Sequence, residues 1–291
     1  MKQTTIDILR ELNNDFYRRQ SASFDRTRRA PWPGWGRCLE YLWDEVSTEP
    51  APGLDRGSIP ASSELLVFDL ACGNLRFESF LAEALPGVLP GVQARCFGVD
   101  DCAALLPADD CPDLAAAPSA LSAPGVPTAP TFSFQELDIL AALQSEDFLS
   151  AHLTAPVCDL SVAFGFLHHV PTAGLRVRVL QTLLDQTKPG GWIIVSLWRF
   201  ARDPQLAAKA ELTTAEALAE LQLPTSELDE GDFLVGWQNQ PKVWRYCHSF
   251  SDTEISDLVR TIEKRATVVA LFQSDGRGEN LNTYVIARKS K

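Results

Sequence analysis

The sequence has no apolar run of about 18 residues, so nothing in it reads as a transmembrane helix and no membrane partner is expected. Its opening residues, Met1-Lys2-Gln3-Thr4, are polar and begin an amphipathic pattern, so they do not read as a signal peptide. It also has no CxxC pair. The seven cysteines (Cys38, Cys72, Cys96, Cys102, Cys111, Cys158 and Cys247) are scattered and odd in number. That argues against a disulfide framework and a cysteine-based zinc site, and it fits a reducing cytoplasm. Cations are in deficit, with 26 Lys and Arg against 38 Asp and Glu, a net charge of −12. Such a chain does not attract nucleic acid by its overall field. The deficit is uneven, however. Residues 1–37 hold Lys2, Arg10, Arg18, Arg19, Arg26, Arg28, Arg29 and Arg37, while acids concentrate in 99–147 and 211–232. A local basic face and a solvated mixed surface both fit this distribution.

What is present is ordinary globular composition: 291 residues, 45% hydrophobic and 22% charged, enough for one large domain or two small ones. The chain is organised around Leu65-Leu66-Val67-Phe68-Asp69-Leu70-Ala71-Cys72-Gly73-Asn74-Leu75-Arg76-Phe77. An apolar strand ends in an acid, small residues make a turn, and Leu75, Phe77, Phe80, Leu81 and Leu85 begin a helical period. Such a strand–turn–helix unit opens a nucleotide-type site, because small side chains admit a ligand to the backbone and the helix start offers free N–H groups.

Ahead of it, apolar positions at Ile6, Ile8, Leu9, Leu12 and Phe16 predict an amphipathic helix over 4–19. Residues 24–35, with Pro31, Trp32, Pro33 and Trp35, predict an ordered loop, and a second helix is expected from about Trp35 to Val46. The Pro-, Gly- and Ser-rich stretch 47–63 reads as a linker, so that 1–63 forms a substrate-side segment ahead of the main domain, 64–291. Beyond the central unit, 94–100 is a second strand ending in Asp100. This acid lies 31 positions after Asp69 and is suited to ribose hydroxyls, with Asp101 as its rival. Residues 104–130 read as a variable excursion. A third strand ends at Asp138, placed for the base end of a ligand. A fourth runs from Val157 into Ala163, Phe164, His168 and His169, which should face the site because ligands bind at strand C-terminal ends. Adjacent histidines point apart and no further ligand cluster is visible, so no metal is expected. A helix over 173–187, the turn Lys188-Pro189-Gly190-Gly191 and a buried strand 192–198 follow. Residues 199–230 read as an inserted helical lid. Ser251 and Glu254 predict a capping box, and 267–272 with 281–287 predict a final hairpin. The fold class expected is α/β: a doubly wound, Rossmann-like, seven-stranded, mostly parallel sheet closed by an antiparallel C-terminal hairpin strand.

Asp69-Leu-Ala-Cys-Gly-Asn-Leu-Arg, Asp100, Asp138, the fourth-strand segment and Lys188-Pro-Gly-Gly together resemble class I S-adenosylmethionine-dependent methyltransferases. Ala71 and Leu75 stand where glycines are common, and Gly73 is retained. The resemblance implies S-adenosylmethionine as cofactor, bound by Asp69, Ala71, Cys72, Gly73, Asp100, Asp138, Ala163 and Phe164. A narrower likeness runs through Thr27-Arg28-Arg29-Ala30-Pro31-Trp32-Pro33, Leu167-His168-His169, Val195-Ser196-Leu197-Trp198, Asp232 to Trp237, Arg245-Tyr246-Cys247-His248-Ser249-Phe250 and Asn280 to Tyr284. These segments resemble the eukaryotic Trm9 and AlkB-homologue-8 tRNA methyltransferases, which esterify a carboxymethyl group on the wobble uridine. Gly236 and Cys247 depart from a usual proline and tyrosine. This second likeness implies a tRNA acceptor and a small, zinc-binding, Trm112-like activator protein.

Methyl transfer from a sulfonium asks a protein for in-line placement and exclusion of water. An ionised carboxylate acceptor needs no base but needs donors, a task suited to Arg28 and Arg245. A base would stack on Trp32, Trp198, Trp237 or Tyr246. His168 or His169 could donate to the acceptor, or act as base if the acceptor is a hydroxyl. Each residue also has a structural reading: core packing for the tryptophans, an ion pair for Arg245, a loop hydrogen bond for one histidine. Two other functions fit the same residues, a methyltransferase for a small acid or other metabolite and a non-catalytic module that binds a nucleotide or partner.

Overall fold

The computed structural model describes residues 1–28, 30–47, 64–106, 131–145 and 149–291. The linker read at 47–63 and the excursion at 104–130 lie almost wholly outside them. At the centre is β1 (Glu64–Leu70), fully buried toward its end. Parallel to it run β2 (Gln93–Asp100) and β3 (Thr131–Glu136) on one side, and β4 (Cys158–Ala163) and β5 (Thr187–Trp198) on the other. Two later strands, β8 (Ala266–Ser274) and β9 (Asn282–Lys289), extend the sheet beyond β5 as an antiparallel hairpin, giving the order β3-β2-β1-β4-β5-β9-β8. The expected doubly wound, seven-stranded sheet is present. Chain order reverses between β1 and β4, and a crevice opens at the C-terminal ends of strands at such a point.

Alternation along the strands divides the core. Leu65 and Val67 point to one face, packed with Trp35, Phe77 and Leu81 of α2 (Pro33–Ser47) and α3 (Arg76–Val88). Phe68 and Leu70 point to the other, against α4 (Ile139–Gln144), α5 (Ala173–Gln186) and α7 (Asp252–Ile262). The Lys188-Pro-Gly-Gly segment, expected as a turn ahead of the strand, is the bulged beginning of β5, where the register to β4 shifts. Gly190 has φ +78°, and a Cβ on Gly191 would meet the Asp159 carbonyl at 2.8 Å, so glycine is required by the bulge.

The helix α1 spans Gln3–Thr27, longer than the expected 4–19, and only 28–32 separate it from α2. Pro33 does not prevent α2 because it is its first residue, where the missing N–H costs no hydrogen bond and the fixed φ is helical. The buried face of α1 also differs from the apolar stripe. Ile6, Leu9 and Phe16 are inside, Ile8 is exposed, and Asn13 and Asn14 are buried. The inserted segment holds α6 (Pro204–Leu221), started by Asp203, whose side chain accepts from the Gln205 and Leu206 amides. A separate antiparallel ribbon, β6 (Asp232–Gly236) with β7 (Trp244–His248), follows it. Leu9 of α1, Ala217 and Leu218 of α6, and Leu234, Trp244 and Tyr246 of the ribbon form one small core. The side chain of Asn13 accepts from the Tyr246 amide (2.7 Å) and donates to its carbonyl (3.3 Å), standing in for a neighbouring strand at the edge of β7. Thus α1 and the ribbon together roof the crevice.

Candidate active site

Below that roof lies a cavity of about 530 Å³, at the C-terminal ends of β1, β2, β4 and β5. Its floor is the turn after β1. Ala71 and Cys72 both donate their amides to the Val99 carbonyl, and Gly73 donates to Asp100 Oδ2 at 2.9 Å. Ala71 (φ +66°), Gly73 (φ +57°) and Leu75 (φ +57°) are all left-handed. The two positions where glycine is common therefore take the conformation glycine favours, here held by larger residues at a cost in strain.

One end of the cavity is acidic. Asp69, Asp100, Asp101 and Asp138 line it. Behind Asp69, on the first turn of α3, lies buried Glu78, neither of whose carboxyl oxygens has a hydrogen-bond partner. Burial, then Glu78, pushes Asp69 well up from the ordinary carboxylate range, and burial raises Glu78 to about 7. Asp69 Oδ1 is buried without a hydrogen-bond partner. Asp100 is raised mainly by burial, and Asp101 to about 7 by burial and by Asp100. Asp138 lines the cavity yet is already engaged. It caps α4 through the Ala141 amide (2.8 Å) and accepts from Asn14 of α1 (3.1 Å).

The other end is basic. Arg28, Arg76 and Arg245 line it, and none has a carboxylate partner within ion-pair distance among the described residues. Burial, followed by Arg245, lowers Arg28; burial, followed by Arg28, lowers Arg76 to about 10. The guanidinium of Arg76 lies over Trp32 and Trp35, both at 5.3 Å, and that of Arg245 over Phe16 (5.2 Å), Trp237 (5.3 Å) and Trp198 (5.9 Å). Such faces stabilise a dry cation without cancelling its charge.

Of the residues singled out from the sequence, Arg28, His168, Arg245, Asp69, Ala71, Cys72, Gly73, Asp100, Asp138, Phe164, Trp32 and Trp198 meet on this cavity. Three do not. Ala163 is sealed inside the sheet, because strand alternation turns it away and presents Phe164. Trp237 packs on Phe16 and Phe24 and donates its indole N–H to Ser23 (3.1 Å). Tyr246 is buried behind the ribbon, donating to Asp232 (2.7 Å) and accepting from Arg176 (3.1 Å), so it is not available to stack on a ligand. His168 lies against Trp198 (4.9 Å between rings) with Nδ1 unpartnered; burial, then His169, holds it well below its ordinary pKa and therefore neutral. His168, His169 and Cys247 bring one ligand atom each within 4.8 Å. Both ring nitrogens of His169 already have protein partners and Arg245 adjoins them, a poor setting for a cation. Tyr17, Asn14, Arg76 and Trp35 are on the cavity without having been anticipated. Only Arg76, directly after the turn, had a positional signal.

No family model and no curated protein matches the chain. Solved structures do. A methyltransferase from Methanosarcina mazei, described as S-adenosylmethionine-dependent, is 18% identical over 78% of this chain and 93% of its own, with a TM-score of 0.50. The 1,6-didemethyltoxoflavin-N1-methyltransferase of Burkholderia thailandensis, solved with 1,6-didemethyltoxoflavin and S-adenosylhomocysteine, is 14% identical over 100% of this chain and 91% of its own, with a TM-score of 0.51. The chain shares the Rossmann-like fold of these two methyltransferases. In a methyltransferase fold the crevice beside β1 is where this chain gathers its acids and arginines.

Proposed function

We propose that this chain is an S-adenosylmethionine-dependent methyltransferase whose acceptor presents a carboxylate to Arg28 and Arg245. The observation that carries this reading is the polarity of one cavity: acids at the strand ends, and opposite them buried Arg245 and half-buried Arg28 and Arg76, with no carboxylate partner of their own among the described residues. A buried cation left without a counter-ion is expensive, and an incoming anion relieves that cost.

The residues fit the cofactor. Asp100 and Asp101 are placed to accept from ribose hydroxyls, Asp69 offers an orphaned oxygen to a cationic or N–H group, and Arg76 offers an unpartnered Nε. When bound, S-adenosylmethionine supplies an electrophilic methyl on a sulfonium. The protein holds the acceptor in line, excludes water under α1 and the ribbon, and keeps the carboxylate ionised beside two guanidinium groups. Trp32 and Trp198 supply faces for a ring, and neutral His168 supplies a hydrogen bond.

The carboxymethyl uridine of tRNA, to which the sequence resemblance points, has both the carboxylate and the ring. A small ring-bearing acid has the same chemistry, and one observation favours it. Arg10 of α1 pairs with Glu11 and Asp138, and Arg18 and Arg19 share Asp15, so part of the basic N-terminal face is neutralised. The test incubates the protein with methyl-labelled S-adenosylmethionine and either total tRNA or a metabolite extract, with and without a Trm112-like partner. Label in tRNA supports the uridine reading, base-labile label only in small molecules supports the acid, and label in neither contradicts the proposal.

A further inference from the structure

Arg245 is held by two residues that carry no charge. Its Nη1 donates to the Tyr17 hydroxyl at 3.5 Å. The Tyr17 hydroxyl is 2.7 Å from His169 Nε2, and His169 Nδ1 is 2.8 Å from the Tyr246 carbonyl. A carbonyl only accepts, so Nδ1 carries the proton and Nε2 the lone pair. Tyr17 must then donate to His169, and its oxygen turns its remaining lone pairs to Arg245. The direction of the chain is fixed from the ribbon backbone outward. Both rings also stay neutral: burial lowers His169 to about 3 and raises Tyr17 to about 12.

We infer that Tyr17 and His169 are a positioning pair that aims Arg245 at the acceptor while leaving its full positive charge for an anion. This rests on the methyltransferase reading above and names what makes its acceptor site selective. A carboxylate in the place of Tyr17 would aim the arginine equally well but would neutralise it. A neutral, oriented acceptor does the first without the second. Among the described residues, the remaining surroundings of Arg245 add no negative charge either: the Phe16, Trp198 and Trp237 rings, the Cys247 thiol, which burial raises to about 11, and the like-charged Arg28.

The test measures affinity for benzoate and for its neutral counterpart benzamide by calorimetry on the full chain saturated with S-adenosylhomocysteine. Wild type favours benzoate by about tenfold or more, the scale of one charge-assisted contact. Tyr17→Phe and His169→Ala each cut benzoate affinity about tenfold and leave benzamide affinity unchanged. His169→Gln, whose amide can donate to the Tyr246 carbonyl and accept from Tyr17, restores the preference. A variant that weakens both ligands equally, or a Tyr17→Phe protein with wild-type selectivity, overturns the inference. Binding of S-adenosylhomocysteine with no benzoate preference in wild type overturns it too, leaving the methyltransferase reading in place. Absence of S-adenosylhomocysteine binding overturns both.

Discussion

At position 98 a hydrogen is the only side chain that fits. A Cβ on Gly98 would lie 2.7 Å from Cys72 Sγ and 2.9 Å from the Phe132 ring. Cys72 belongs to the cavity floor, so the space is shared with the turn on which the proposed cofactor site is built. Gly98→Ala should therefore cost about 1–3 kcal/mol of stability and also weaken S-adenosylhomocysteine binding, read by thermal melting and calorimetry. Asp100 has the reverse role, supplying rather than leaving room. Its oxygens already accept from the Gly73 and Cys102 amides, at 2.9 and 3.0 Å, which aims them at the ligand. Asp100→Asn should lower cofactor affinity about tenfold or more, since a charged acceptor becomes half donor. That Asp69, Gly73 and Asp100 line the cavity was legible in the sequence, because their placement follows from the end of a strand and the turn after it. Tyr17 was not, since α1 was read only for its apolar stripe. Trp237 and Tyr246 were misplaced because an aromatic residue in a short strand has two faces to choose from, and nothing local reports which one meets the cavity.

Among the elements, the ribbon depends on a charge network that sequence pattern alone does not reveal. Asp232 of β6 accepts from His248 Nδ1 (2.7 Å), His248 Nε2 is 2.8 Å from Glu254 of α7, and Arg176 of α5 reaches both acids at 3.5 Å. Glu254 also completes the capping box with Ser251, as the spacing predicted. Burial raises the Glu254 carboxyl, but His248 and the Ser251 cap outweigh it and hold it at about 2, below the ordinary 4.5. Its folded pKa is depressed, so it contributes stability that is present above about pH 4.5 and lost as pH falls toward 2. Glu254→Gln should lower the melting temperature at neutral pH and flatten the acid limb of the stability curve within that window; an unchanged curve would contradict the network's role. Strands β1, β2, β4 and β5 and helix α5 were readable from periodicity. The end of α1 and the pairing of β6 with β7 were not. The first depends on tertiary contacts such as Asn74 with Asp25 (2.9 Å), the second on a partner strand seven residues away across a turn of left-handed Gln238, Asn239 and Lys242.

Over the whole molecule, charge is arranged against stability and in favour of the cavity. Glu78 and Asp69 share a dry space, and Glu78 is raised from 4.5 to about 7. A carboxyl with a raised folded pKa costs stability as pH climbs from its unfolded to its folded value, and the cost persists above. Glu78→Gln should therefore melt higher than wild type above about pH 7, with the difference closing toward pH 4.5. The net charge of −12 coexists with an arginine-lined pocket because burial, not the surface, decides where these cations act. The most direct test of the account is titration of S-adenosylhomocysteine into the full chain by calorimetry. One saturable site per chain, with an affinity on the order of micromolar, is the predicted result. No saturable heat at about millimolar ligand would contradict it.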